Sequence, residues 1–120
     1  MLFNKKIIKI TLGLFLVVVL TGATIKREPQ FDPCQIYGSV YFESSKSLAQ
    51  YSVFIEDSEG FADVIVFPQE DAIYADRIGN WHITDQRAFA DFILYAESTK
   101  NFADFSVYYT DIESFAGCAQ

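Results

Sequence analysis

Positive charge is scarce in this chain, and most of it sits at one end. Of the nine Lys and Arg, Lys5, Lys6, Lys9, Lys26 and Arg27 all precede Glu28. From Glu28 onward four basic residues face sixteen acidic ones, a net charge of −12. A body this acidic repels phosphate backbones and anionic lipid heads, which disfavours nucleic acid and the membrane surface as partners. The chain has one His, one Trp and two Cys, which leaves too few ligands for a His- or Cys-built metal centre. No window carries a sustained 3.6-residue apolar period, so helix is expected to be scarce. At 120 residues there is room for one domain.

The first segment stands apart from that acidic body. Its lysines precede a short apolar run, Ile10 to Leu20, and the small residues Thr21-Gly22-Ala23 follow. Basic start, apolar centre and small-residue exit are the parts of a secretory signal, here residues 1–23. An uncleaved N-terminal anchor is the alternative, although the run is short of the roughly 20 apolar residues of a comfortable span. Residues 24–33 carry two of the prolines, mixed charge and no periodicity, and read as a linker. The domain itself is expected over 34–118, exported to the periplasm or secreted. No Cys closely follows Leu20, so a lipid anchor at a signal-adjacent cysteine is not expected. In an exported protein, two cysteines near the ends of a domain suggest a disulfide between Cys34 and Cys118. Free thiols or half a metal site are the competing arrangements.

What is abundant is a phrase: an aromatic or Leu, then Ala, then usually Asp. It reads Leu48-Ala49-Gln50, Phe61-Ala62-Asp63, Tyr74-Ala75-Asp76, Phe89-Ala90-Asp91, Phe102-Ala103-Asp104 and Phe115-Ala116-Gly117. The alanines are 13, 13, 15, 13 and 13 residues apart, a fixed period of the kind that marks repeat architectures. After each phrase comes an apolar run such as Val64-Ile65-Val66-Phe67 or Phe105-Ser106-Val107-Tyr108-Tyr109, and then a polar break. Short β-rich runs with regular turn signals predict an all-β, repeat-built domain, with each phrase opening a strand. Aromatics are expected to supply much of the core, and the small Ala to mark close approach of another strand.

One repeat is two residues longer. It holds Arg77, Ile78, Gly79, Asn80, Trp81, His82 and Arg87, and an insertion of this kind usually emerges as a loop or bulge. Arg77, Trp81, His82 and Arg87 are the candidate interaction surface, because Trp and Arg are frequent interface anchors. His82 with Asp85 or Asp91 makes a hydrolase conceivable, but no nucleophile stands at a catalytic spacing. Asp63, Asp76, Asp91 and Asp104 share a repeat position and are weak candidates for binding a hard cation. The plainer role is hydrogen bonding to the backbone of the adjacent turn.

The run Cys34-x-Ile36-Tyr37-Gly38-x-Val40-Tyr41-Phe42, followed by Ala-Asp phrases at near-13 spacing, resembles the septoil-knot domain family of small bacterial β-rich proteins. The resemblance covers about Cys34 to Cys118 and departs from the phrase at Gln50 and Gly117. It implies a deep seven-crossing knot, which the repeats by themselves do not, and it implies no activity. With a Cys34–Cys118 bond, a knotted chain could unfold without untying, a source of kinetic durability. The expected function is non-enzymatic, with no cofactor: a durable exported domain binding another macromolecule, and an acidic body suits a basic protein partner. Cation or small-ligand binding through the Asp positions is the alternative.

Overall fold

The computed structural model describes residues 31–119, and the signal segment and most of the linker lie outside them. Within Asp32–Ala119, each phrase folds into one turn of 3-10 helix followed by a short strand. The turns are Pro33–Gln35, Lys46–Leu48, Glu59–Phe61, Ala72–Tyr74, Arg87–Phe89, Lys100–Phe102 and Glu113–Phe115. In each, the residue after the turn closes it by donating its N–H to the carbonyl three residues back, as Ala62 does to Glu59 at 3.2 Å. That Ala is already in extended backbone (φ −85°, ψ 146°), so the chain leaves the turn directly into a strand. Ile36 does the same for Pro33 at 3.2 Å. It stands one 13-residue period before Ala49, so the repeat has a seventh copy that the aromatic-Ala-Asp phrase conceals. The Asp32 side chain caps this first turn through the Cys34 N–H at 3.0 Å, so Asp32 and Pro33 belong to the folded body rather than to the linker.

The strands are β1 (Gly38–Phe42), β2 (Tyr51–Ile55), β3 (Val64–Pro68), β4 (Asn80–Ile83), β5 (Phe92–Glu97), β6 (Phe105–Tyr109) and β7 (Gly117–Cys118). They form one sheet in the order β4-β1-β5-β2-β6-β3-β7, closed by a β3–β4 pairing. All pairings are parallel except the short β7, which runs antiparallel to β3. The expected all-β repeat domain is what the chain forms. Consecutive strands are never side by side along most of the ring, since a strand of the other lap lies between them.

A constant stagger makes this possible. Val40 stands beside Phe92, Leu94 beside Tyr51, Val53 beside Phe105 and Val107 beside Val64. Each junction therefore slips the register by two residues, and the strands tilt steeply as in other small closed sheets. Phe42 at the end of β1 is level with Leu94, and Leu94 is level with Tyr51 at the start of β2. The chain need not travel back along the strand, so eight connecting residues do the work for which a parallel crossover usually takes about a dozen. The connection lies over β5 and bonds to it, Glu43 N–H to the Leu94 carbonyl at 2.7 Å and Gln50 N–H to the Ile93 carbonyl at 2.8 Å.

Alternate residues of each strand meet in the core. Val40, Val53, Val66, Trp81, Leu94 and Val107 hold the same repeat position, and all are fully buried. Trp81 stands where its counterparts are Val or Leu, level in register with Gly38. Its indole N–H donates to the Ile36 carbonyl at 3.0 Å, and its ring meets Phe105 edge-on at 6.4 Å between centroids. The residues between these face the covering connections, which bury Ser39, Ser52, Ile65, Asn80 and Ser106 as well. Both faces of the sheet are therefore covered, as apolar strands require.

The longer repeat forms the seam. Its extra residues make a tight turn, Asn80 N–H to the Arg77 carbonyl at 3.0 Å, beside which β7 is inserted. Gly79 has φ +82°, and a Cβ there would stand 2.3 Å from the Gly117 nitrogen and 2.6 Å from the Ile65 carbonyl oxygen. Only Gly fits so close an approach of backbones. The disulfide expected between Cys34 and Cys118 is present and joins the first turn to β7 across 84 residues.

Candidate interaction surface

The aromatic of each phrase does not enter the core. It is the last residue of a 3-10 turn, and the turn holds it away from the sheet. Leu48, Phe61, Tyr74, Phe89, Phe102 and Phe115 are between 54% and 69% exposed. This corrects the expectation that the phrase opens a strand and that its aromatics are buried: the core is built mainly from Val, Ile, Leu and the single Trp. The second, third, sixth and seventh turns pack over β5, β6, β2 and β3, strands beside their own, while the fourth packs against β4; the six side chains thus follow one another as a belt around the sheet. Their order follows the strands: Phe89, Leu48, Phe102, Phe61, Phe115 and Tyr74.

Ion pairs tie neighbouring turns together. Arg87 donates to the Leu48 carbonyl at 3.2 Å and pairs with Glu43 at 3.7 Å. Lys46 donates to the Phe102 carbonyl at 3.1 Å and pairs with Glu97. Lys100 donates to the Phe61 carbonyl at 3.1 Å and pairs with Glu56. Arg77 pairs with Glu113 at 3.0 Å, and Glu113 also accepts from Gln69. Exposed pairs of this kind contribute about 0–1 kcal/mol each, but their effect on the surface is larger. Every Lys and Arg among the described residues is held by a carboxylate, so the remaining carboxylates give the body its net negative charge.

The repeated Asp residues act between laps. Asp91 accepts the Ser39 N–H at 2.8 Å, Asp104 the Ser52 N–H at 2.8 Å and Asp63 the Ser106 N–H at 2.9 Å. Each clasp joins residues 43 or 52 positions apart, so the bonded backbone is that of another strand rather than the adjacent turn. Asp76, next to the insertion, makes no such clasp. Among the described residues no group of three or more His, Cys, Asp or Glu is placed to hold a metal ion.

The four residues of the long repeat do not converge on one surface. Trp81 is wholly buried, so it cannot be a contact anchor: it holds the core position of its strand, with its indole N–H bonded to the Ile36 carbonyl. His82 is half-buried on β4, with Nδ1 2.9 Å from the Gln69 carbonyl oxygen. Arg77 and Arg87 are held by partners on different repeats. Burial pushes the Tyr109 phenol, near the end of β6, up to about 12.

A groove of about 930 Å³ opens along the belt between the third and seventh turns, walled by Phe61 and Phe115 and bordered by Glu59, Asp63 and the disulfide. Shallower openings of about 330–440 Å³ lie at other junctions.

Seven short repeats wound into one closed, parallel-stranded sheet define the chain as a repeat-built all-β domain. It belongs to the septoil knot family: the model for the 7(1) septoil knot domain matches residues 33–119. No curated protein and no solved structure matches it.

Proposed function

We propose that this is a non-enzymatic, exported domain that binds a basic protein partner through its apolar belt. The observation that carries the reading is the belt itself. Six large apolar side chains are held outward at one repeat position by turns whose geometry gives them no core role. Six such side chains at one repeat position exceed the singly scattered apolar residues of an ordinary surface, and exposed apolar surface in excess usually marks an interaction site. The acidic setting selects the partner, because complementary charge steers association and penalises acidic competitors. The cystine and the signal-like leader support export to an oxidising compartment. The two-lap winding is compatible with the knot that the family description names, and with the cystine it would give a fold that resists proteolysis for kinetic reasons.

The test is crosslinking capture of the tagged protein in its native envelope, comparing wild type with Phe89→Ser and Phe102→Ser. Both side chains are exposed and outside the core, so circular dichroism of the variants should match wild type. The reading requires a saturable partner with a basic contact surface that both variants lose. Capture that is unchanged in both variants would sink it. Sedimentation of the purified protein distinguishes the remaining occupant, a second copy of this chain, which would show as a dimer that the same variants dissociate.

A further inference from the structure

The ring of turns contains its own template for holding a cation. At three successive junctions the first residue of a turn is Arg87, Lys46 or Lys100, and its charged group donates to the carbonyl of Leu48, Phe102 or Phe61 on the next turn. Each is paired with a Glu that follows or ends a strand. The Lys100 ammonium also stands 5.8 Å from the centroid of the Phe61 ring, a distance at which the ring quadrupole attracts a cation. A turn carbonyl, a carboxylate and an aromatic face together make one cation seat.

The next junction in the ring breaks the rule. The third turn begins with Glu59 where the three turns before it in the ring have Arg or Lys, and Phe115 of the next turn lines the same opening. This is where the groove of about 930 Å³ opens, with Phe61 and Phe115 as walls and Glu59 and Asp63 as its carboxylates. Its volume is within the range of about 300–1,000 Å³ typical of ligand sites. All four Lys and Arg among the described residues are engaged elsewhere, so none of them is left for this seat.

We propose that the groove between the third and seventh turns receives a Lys or Arg side chain from a basic, apolar segment of a partner protein. This rests on the belt as a binding surface and adds where the partner's charge docks. The incoming cation takes the place that Lys100 takes one junction earlier. It meets the Glu59 carboxylate, the Phe115 carbonyl and the two aromatic faces, while the apolar residues flanking it lie along the belt.

The test is fluorescence anisotropy of the oxidised protein with a labelled twelve-residue peptide of alternating Arg and Leu, against a Glu-Leu peptide of the same length. Glu59→Lys supplies the missing cation from within, seats it on the Phe115 carbonyl and weakens the Arg-Leu peptide by about tenfold or more. Glu59→Gln weakens it by about threefold, and Asp85→Lys, the same charge reversal on an exposed connection away from the groove, changes it by less than about twofold. Glu59 and Asp85 are exposed, and unchanged circular dichroism verifies the fold. Equal weakening by Glu59→Lys and Asp85→Lys would overturn the groove while leaving a diffuse acidic surface for the basic partner. Binding of neither peptide, or of both alike, would also overturn the seat. Capture in the envelope decides the belt separately.

Discussion

Trp81 occupies a position that Val fills in four of the other repeats, so replacing it by Val asks whether the repeats are interchangeable. The structure says they are not. The indole is wholly buried, meets Phe105 edge-on and donates to the Ile36 carbonyl, and Val fills only part of the space it occupies. Truncating a buried Trp to Ala costs about 3–5 kcal/mol. Val returns two carbon groups at about 0.8 kcal/mol each, which puts the packing loss at about 2–3 kcal/mol. The Ile36 carbonyl, which accepts the indole N–H at 3.0 Å, is left without that donor, at a further cost of about 1–3 kcal/mol. Trp81→Val should therefore lose about 3–6 kcal/mol, a large part of the roughly 5–15 kcal/mol of a typical domain. Trp81→Phe keeps most of the volume and forfeits mainly the hydrogen bond, about 1–3 kcal/mol. Urea unfolding of the oxidised protein, followed by far-UV circular dichroism because the Trp signal is lost, measures both. A Val variant within about 1 kcal/mol of wild type would refute the claim that the indole fills space the surrounding core cannot close, since such truncations cost more.

Two further outcomes follow from the clasps and the barrel end. Asp104→Ala removes the acceptor of the Ser52 N–H and should cost about 1–2 kcal/mol in the same assay. Asp76→Ala, with no clasp to lose, should stay within about 0.5 kcal/mol, and equal losses would show that the shared sequence position, not the bond, matters. Tyr109 holds its proton up to about 12 in the folded state, whereas an unfolded Tyr releases it near about 10. Between those values the folded state binds more protons, so stability is fully present below about pH 10 and falls as pH rises towards 12. Urea midpoints across that window should drop in wild type and drop less in Tyr109→Phe, and parallel curves would contradict the assignment.

The period, the all-β class and the Cys34–Cys118 bond were legible in the sequence, because each is carried by local composition or by a count that allows a single pairing. The seventh repeat was hidden, because Gln35-Ile36-Tyr37 shares a place with the phrase but none of its residues. Its signal was there as a subtraction, 13 back from Ala49. The exposure of the aromatics was misjudged because a three-residue turn is too short to imprint a period, so Phe-Ala-Asp reads as the front of the strand that follows. The burial and bonding of Trp81 depend on Ile36 and Gly38, which lie far away in sequence, the one accepting its indole N–H and the other level with it in register. The clasps of Asp63, Asp91 and Asp104 likewise depend on which strands adjoin. That adjacency is set by the two-residue stagger, a property of the closed sheet that no single stretch encodes.

The strand order has an arithmetic consequence for how such a chain can evolve. The sheet offers seven angular places, and each repeat advances by two of them: β1, β2 and β3 take alternate places, β4 comes round beside β1, and β5, β6 and β7 enter the gaps. Two and seven share no divisor, so seven steps visit every place once. Eight places would be revisited after four steps, with the second lap colliding with the first. An open solenoid can gain or lose a single unit at little cost. Here a duplicated or deleted repeat changes the parity and leaves no vacant track for the returning chain, so lineages of this fold are expected to vary in loops and surfaces while their repeat number stays odd.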